Sequence, residues 1–178
     1  MAAFTVIDHT EIGTGGAASW SETGIPTDGT YDHLLILASI RGEQVVKYDA
    51  LSMTVNGVTS SVYSNTAIYA NSTTVQTSRE ALRANLVNAF WSGGGATANS
   101  FGNLKIWIPN YASATNFKAL IMSSTSSTLE TGDTDWILGW TAGCYNQTTA
   151  ISSITIASGW GADLAEFSTF TLYGVKGA

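Results

Sequence analysis

The stretch Tyr31-Asp32-His33-Leu34-Leu35-Ile36-Leu37-Ala38-Ser39-Ile40 decides the fold class. Leu34, Ile36, Ala38 and Ile40 recur at every second residue, the repeat that brings side chains of an extended chain to one face. Leu35 and Leu37 supply apolar groups to the opposite face. Apolar groups on both faces predict a strand covered on both sides, by the core on one and by a neighbouring chain on the other.

The same alternation extends in both directions. Upstream, Phe4 to Ile12 sets Phe4 and Val6 against Thr5, Ile7 and His9, as in a strand near a sheet edge. Gly13 to Gly16 then breaks the chain, Trp20 begins a short extended piece that Pro26 ends, and Asp28-Gly29 marks a turn. Downstream, Leu51, Met53 and Val55 alternate with Ser52 and Thr54. Asn56-Gly57 follows, a pair that tolerates positive φ, and predicts a tight β-hairpin continuing from Val58. Val62 to Ala70 reads as a strand. Ser78 to Phe90 fits a helix through Leu82, Leu86 and Phe90, or a strand through Leu82, Ala84 and Leu86; the all-β setting favours the strand.

Gly93-Gly94-Gly95 reads as a flexible connection, with a loop through Ser100. Leu104, Ile106 and Ile108 line one face of a strand closed by Pro109 and Asn110. Phe117 to Ser123 is another strand, followed by a polar Ser/Thr-rich surface loop. In Trp136 to Tyr145, Gly139 and Gly143 predict a bulge or a close backbone approach. Ile154 and Ile156, then Ser168, Phe170 and Leu172 opposite Thr169, Thr171 and Tyr173, bring the count to about eight to ten strands. Strands this short and numerous bury their apolar faces by packing two sheets face to face. The expected architecture is an all-β, jelly-roll-like β-sandwich, a single domain over residues 1–178, with room for an extended N-terminal arm over about residues 1–30.

Composition agrees and excludes several functions. The 178 residues include 24 Thr and 20 Ser but only 11% charged residues, so the Lys, Glu and Arg that cover helix surfaces are scarce. The formal net charge is −6, and the seven basic residues form no run, which argues against nucleic acid and against an anionic membrane surface. No stretch approaches the length of a membrane span. Met1 to Thr10 contains an acid, a histidine and no long apolar run, so no signal peptide is expected and assembly in a cytoplasm is. The single cysteine, Cys144, has no internal disulfide partner and reads as a buried small hydrophobe.

The constellations that could carry chemistry each have a plainer reading. Asp133-Thr134-Asp135 could offer oxygens to Ca²⁺ but lacks the further ligands of an EF-hand loop, so a solvated turn is the simpler assignment. His9 and His33 lie beside Asp8 and Asp32, yet no Gly-x-Ser-x-Gly nucleophile elbow accompanies them. Gly13-Thr14-Gly15-Gly16 lacks the lysine and spacing of a phosphate loop. Asn71-Ser72-Thr73 and Asn146-Gln147-Thr148 match glycosylation acceptors, which mean little without secretion. The six Trp and seven Tyr are the most suggestive feature: Trp107, Trp136, Trp140 and Trp160 can fill the sandwich, anchor a subunit interface or stack on sugars. No catalytic, cofactor-binding or metal residue is assigned.

The segment Phe101-Gly102-Asn103-Leu104-Lys105-Ile106-Trp107-Ile108-Pro109-Asn110-Tyr111-Ala112-Ser113, then Asn116-Phe117-Lys118, resembles a block that recurs in tailed-bacteriophage structural proteins. The ending is similar too: Ala150-Ile151-Ser152-Ser153-Ile154-Thr155-Ile156, then Phe167-Ser168-Thr169-Phe170-Thr171-Leu172-Tyr173-Gly174-Val175-Lys176. The resemblance covers roughly the C-terminal half and implies a virion component with no enzymatic role. A short chain that reaches a strand by Phe4, with no shaft, is expected to be a capsid decoration (cement) protein. By the same resemblance it would be a homotrimer that stabilises the head by binding the major capsid protein. The alternative is a tail-fibre-like receptor-binding module recognising host surface glycans.

Overall fold

The computed structural model describes residues 3–126 and 136–177. Twelve strands and no helix are present among them: β1 (Ala3–Glu11), β2 (Ser19–Thr23), β3 (His33–Ile40), β4 (Tyr48–Val55), β5 (Tyr63–Asn71), β6 (Thr74–Arg83), β7 (Phe90–Ser92), β8 (Gly102–Pro109), β9 (Lys118–Ser126), β10 (Ile137–Tyr145), β11 (Ser153–Ser158) and β12 (Thr169–Lys176). They form an eight-stranded sheet in the order β1-β12-β3-β8-β9-β10-β5-β6 and a four-stranded sheet in the order β2-β11-β4-β7. All strand pairs are antiparallel. With the β5–β6 hairpin and the meander β8–β10 each taken as one leg, the chain passes back and forth between the sheets as in a jelly roll, so the molecule is a jelly-roll-like β-sandwich.

The two inner faces make one core. Leu34, Ile36 and Ile40 of β3 and Leu104, Ile106 and Ile108 of β8 meet Leu51, Met53 and Val55 of β4 and Ile154 and Ile156 of β11, all 1% exposed or less. Trp20 stacks on Phe170 at 5.1 Å on one side of this core, and Tyr63 stacks on Tyr145 at 5.3 Å on the other. The Tyr63 hydroxyl accepts from Val55 N at 2.9 Å and donates to Val58 O at 2.8 Å, which fastens the β4–β5 crossover. Burial pushes its phenol up to about 12.

Several local expectations are corrected by this topology. Asn56-Gly57 does form a tight turn, with φ of 53° and 65° and Val58 N bonded to Val55 O at 3.0 Å, but no hairpin follows. The chain crosses to the other sheet because the Asn56 side chain is recruited elsewhere: Nδ2 donates to Ala150 O, and Oδ1 accepts from the N–H groups of Ser152 and Ser153. A two-residue hairpin occurs instead at Ser72-Thr73, between Asn71 and Thr74. Ser78 to Phe90 is strand through Arg83 and again at Phe90, where β7 opens; between them the chain crosses the sandwich, and Leu86 bridges to Met53 of the small sheet. β10 is paired without interruption, so its glycines mark close approach and not a bulge: a Cβ at Gly143 would lie 2.9 Å from both Leu120 and Leu86.

Gly93-Gly94-Gly95 is not a flexible connection. Its three N–H groups donate to Lys47 O, Gln44 O and Val46 O at 2.7–3.0 Å, and a Cβ at any of the three would fall within 3.0 Å of a carbonyl oxygen. The N-terminal residues supply edge strands where an arm was allowed for, β1 along β12 and β2 along β11. Lys118 is buried at the start of β9. The lysine is 1% exposed, with its ammonium donating to Asn116 O (2.7 Å) and Thr148 O (3.0 Å), while Phe117 points outward.

The inner and outer faces of β3 and β8 are predicted to respond differently to truncation. Ile106→Ala should cost about 2–5 kcal/mol in urea unfolding, whereas Leu37→Ala, on the outer face, should cost well under about 1 kcal/mol. Equal costs would contradict the assignment of faces.

Candidate functional site

The outer face of the eight-stranded sheet is the most distinctive surface. Its register places three complete rows of side chains across all eight strands. The first runs Val6, Tyr173, Leu35, Trp107, Ile121, Ala142, Thr66, Arg79. The second runs His9, Thr171, Leu37, Lys105, Ser123, Trp140, Ile68, Thr77, and the third runs Glu11, Thr169, Ser39, Asn103, Thr125, Leu138, Ala70, Val75. Apolar groups occupy the first row from β1 to β10, shift to the second at Trp140 and Ile68, and reach the third at Leu138, Ala70 and Val75. The result is an oblique apolar band running from one edge strand to the other.

Eight strands at about 4.8 Å spacing make this band on the order of 35 Å long. Val6, Ile121, Trp140, Ile68, Leu138 and Val75 are each more than half exposed. With half-buried Tyr173, Leu35 and Trp107 they run on through adjacent register positions as one extended apolar patch. Beside Trp140 the band sinks into a depression of about 370 Å³ walled by Ile68, Ile121 and Ala142. Lys105 is the one ionised side chain in the interior of the three rows; Glu11 and Arg79 lie at the edge strands.

The edges of the same sheet are protected. β1 changes register between Val6 and Asp8, and β6 does so opposite Tyr63 and Asn65, close to Leu82 with φ at 55°. Charges flank both irregularities: Asp8 and Glu11 on β1, and an Arg83–Glu80 pair at 3.4 Å on β6. Bulges and charges of this kind discourage strand addition at the edges.

The residues singled out in the sequence are found as follows. Of the six tryptophans, Trp20 and Trp91 are core; Trp136, Trp140 and Trp160 are exposed and Trp107 is half-buried, so the four named ones do not fill the sandwich. His9 and Asp8 are not paired: His9 Nδ1 meets Thr171 Oγ1 at 2.8 Å, while Asp8 Oδ2 accepts from Thr10 Oγ1 and Trp20 Nε1. His33 Nδ1 accepts from Asn110 N at 3.1 Å, and Asp32 accepts from Gly177 N and Lys176 Nζ, which hold its carboxyl below the usual range. Cys144 is half-buried on the outer face of β10 and not in the core; its thiol donates to Asn146 Oδ1 at 2.9 Å, and burial raises its pKa, away from a reactive thiolate. Gly13-Thr14-Gly15-Gly16 is a bend closed by Gly16 N to Gly13 O, and Asp133 and Asp135 lie outside the described residues. Among the described residues no three His, Cys, Asp or Glu side chains converge as metal ligands would.

Sequence reasoning missed two charged groups at one end of the sandwich, half-buried Arg41 and buried Asp49. The Arg41 guanidinium donates to four backbone carbonyls, those of Gly94, Ala96, Thr97 and Ser100, and so organises the loop after β7. Asp49 is fully buried; Oδ1 accepts from Ala50 N at 2.7 Å and Ser158 Oγ at 2.8 Å, while Oδ2 faces Trp91 Nε1 without an ordinary hydrogen bond. Only the alternation Tyr48-Asp49-Ala50-Leu51, which sets Asp49 in phase with Leu51, hinted at its burial.

Burial raises the Asp49 carboxyl above the ordinary aspartate range, against its hydrogen bonds. The folded state therefore holds this proton more tightly than the unfolded chain, and the associated stability is present below about pH 4 and lost as pH rises through the folded value. The stability of the wild type relative to Asp49→Asn should thus decline from pH 4 to pH 8, read as the difference between two unfolding curves; a flat difference would contradict it. Compared with family models, curated proteins and solved structures, the chain matches none.

Proposed function

We propose that this chain is a structural component of a bacteriophage virion, a decoration protein that stabilises the head by binding the major capsid protein through the outer face of its eight-stranded sheet. The single observation that carries this reading is the oblique apolar band: contiguous, low in charge, and borne on a sheet whose edges are protected. Large aromatic and aliphatic groups around a depression are the composition of an interface hot spot, and a rigid sheet presents them with little ordering cost. The phage-like blocks at residues 101–118 and 150–176 add to it. In this reading the protein acts as a homotrimer, many copies of which add modest interfaces over a capsid surface. The tail-fibre-like alternative draws on a different place, the aromatic corner around Trp160.

Ile121→Glu and Trp140→Glu test the reading. Each side chain is more than half exposed, so the variants should fold with an unchanged β-sheet circular dichroism spectrum. Each should weaken co-sedimentation with capsids stripped of the protein by about tenfold or more. A pair of variants that still decorate capsids as the wild type does would overturn the proposal.

A further inference from the structure

Two loops meet at the end of the sandwich that holds Arg41 and the buried Asp49: residues 43–47, after β3, and residues 159–163, after β11. Both are braced from beneath. The first lies on the backbone of Gly93, Gly94 and Gly95, whose N–H groups bond it at three points and which the Arg41 guanidinium helps hold in place. The second begins at Ser158, whose hydroxyl accepts from Trp160 N (3.1 Å) and Ala162 N (3.3 Å) while donating to Asp49. Glu43 N donates to Asp163 O at 2.8 Å and ties one loop to the other. Loops fixed this firmly keep their backbone in one arrangement, which lowers the ordering penalty for a small ligand.

What they hold is a corner of two rings. Trp160 lies 5.3 Å from Tyr48 at 61°, and Tyr48 is backed by Phe90 at 6.0 Å. Val46 and Gln44 close the other side of an open cleft of about 390 Å³, within the roughly 300–1,000 Å³ of small-ligand sites. Gln44 Oε1 accepts from Val45 N at 3.1 Å, so the N–H donors of its amide have no acceptor among the described residues, and neither has the Tyr48 hydroxyl a partner there.

A nearly half-exposed indole beside unsatisfied amide and hydroxyl groups matches a ligand that carries C–H and O–H on one rigid body. A pyranose does so: its C–H groups lie on a ring face and its hydroxyls at the rim. The residues that line the cleft carry no charge, so among the described residues nothing there pairs the carboxylate or sulfate of an anionic sugar. The depression beside Trp140 is different, being walled by Ile68, Ile121 and Ala142, and suits an apolar side chain. We propose that the cleft formed by Trp160, Tyr48, Val46 and Gln44 is a binding site for a neutral hexose unit of an oligosaccharide, stacked on Trp160 and hydrogen-bonded by Gln44 and Tyr48. This site is separate from the sheet face and stands or falls independently of it.

The test is binding of the full-length chain to an array of neutral hexose oligosaccharides and sialylated or uronate-containing ones, followed by titration with the best neutral binder. Neutral glycans are expected to bind, with Trp160→Ala and Gln44→Ala each weakening the titrated affinity at least about tenfold. Trp160→Phe should keep part of it, and Trp140→Ala, on the sheet face, should leave it unchanged. Thermal unfolding of each variant separates loss of the site from loss of the fold, and the indole N–H resonance missing in Trp160→Phe should be the one that moves most on titration. Binding to no glycan, binding to the anionic ones only, or binding that survives Trp160→Ala would each overturn the proposal.

Discussion

Eight strands facing four leave the larger sheet with more inner surface than the smaller can cover, and the need to bury that surface organises the molecule. On one flank the Trp20–Phe170 stack and Ile12 close the gap. On the other, Tyr63 stacks on Tyr145, and the β6–β7 connection folds Leu86 and Ala89 inward. Loop residues Ile25, Tyr111 and Ile151 seal the remaining end, and the Tyr111 hydroxyl donates to Pro26 O. The outermost strand, β6, is beyond the reach of any such cover and is exposed or half-buried along its whole length.

Once the inner face is committed, strict alternation commits the outer one. Leu35, Trp107 and Ile121 are turned outward because Ile36, Ile106 and Met122 are turned inward; a slip of one residue would exchange the sets. The apolar band is therefore the unavoidable second face of strands that are greasy on both sides. Its neighbours in the sheet, Thr, Ser and Asn, are what such a face carries when it is free to be polar. The two surfaces of interest differ in construction as well. The sheet face is presented by the ladder itself, whereas the Trp160 corner depends on half-buried Arg41 and buried Asp49 and Ser158, which replace solvent for loop backbone.

Much of the fold was legible because period two is a local signal. The alternations at Leu34–Ile40, Leu51–Val55, Leu104–Ile108 and Phe170–Leu172 all proved to be strands with the expected inner residues. The sites were less so. The Trp160 corner draws Gln44, Tyr48 and Trp160 from positions more than 100 residues apart, and nothing in Gly93-Gly94-Gly95 distinguishes a loose linker from backbone packed against backbone. Nothing in the sequence around Lys118 marks it as buried, since hydropathy cannot register carbonyls arriving from residues 147 and 148.

Residue chemistry alone determined that the chain is extended, that its strands alternate, and that Asn56-Gly57 turns with positive φ, because each of these depends on a residue and its immediate neighbours. Only the tertiary structure decided which strand lies beside which, which of two apolar faces is covered, and which tryptophans remain at the surface. Those outcomes depend on hydrogen-bonding partners far away in the chain, whose arrival sets the balance of burial at every position between them.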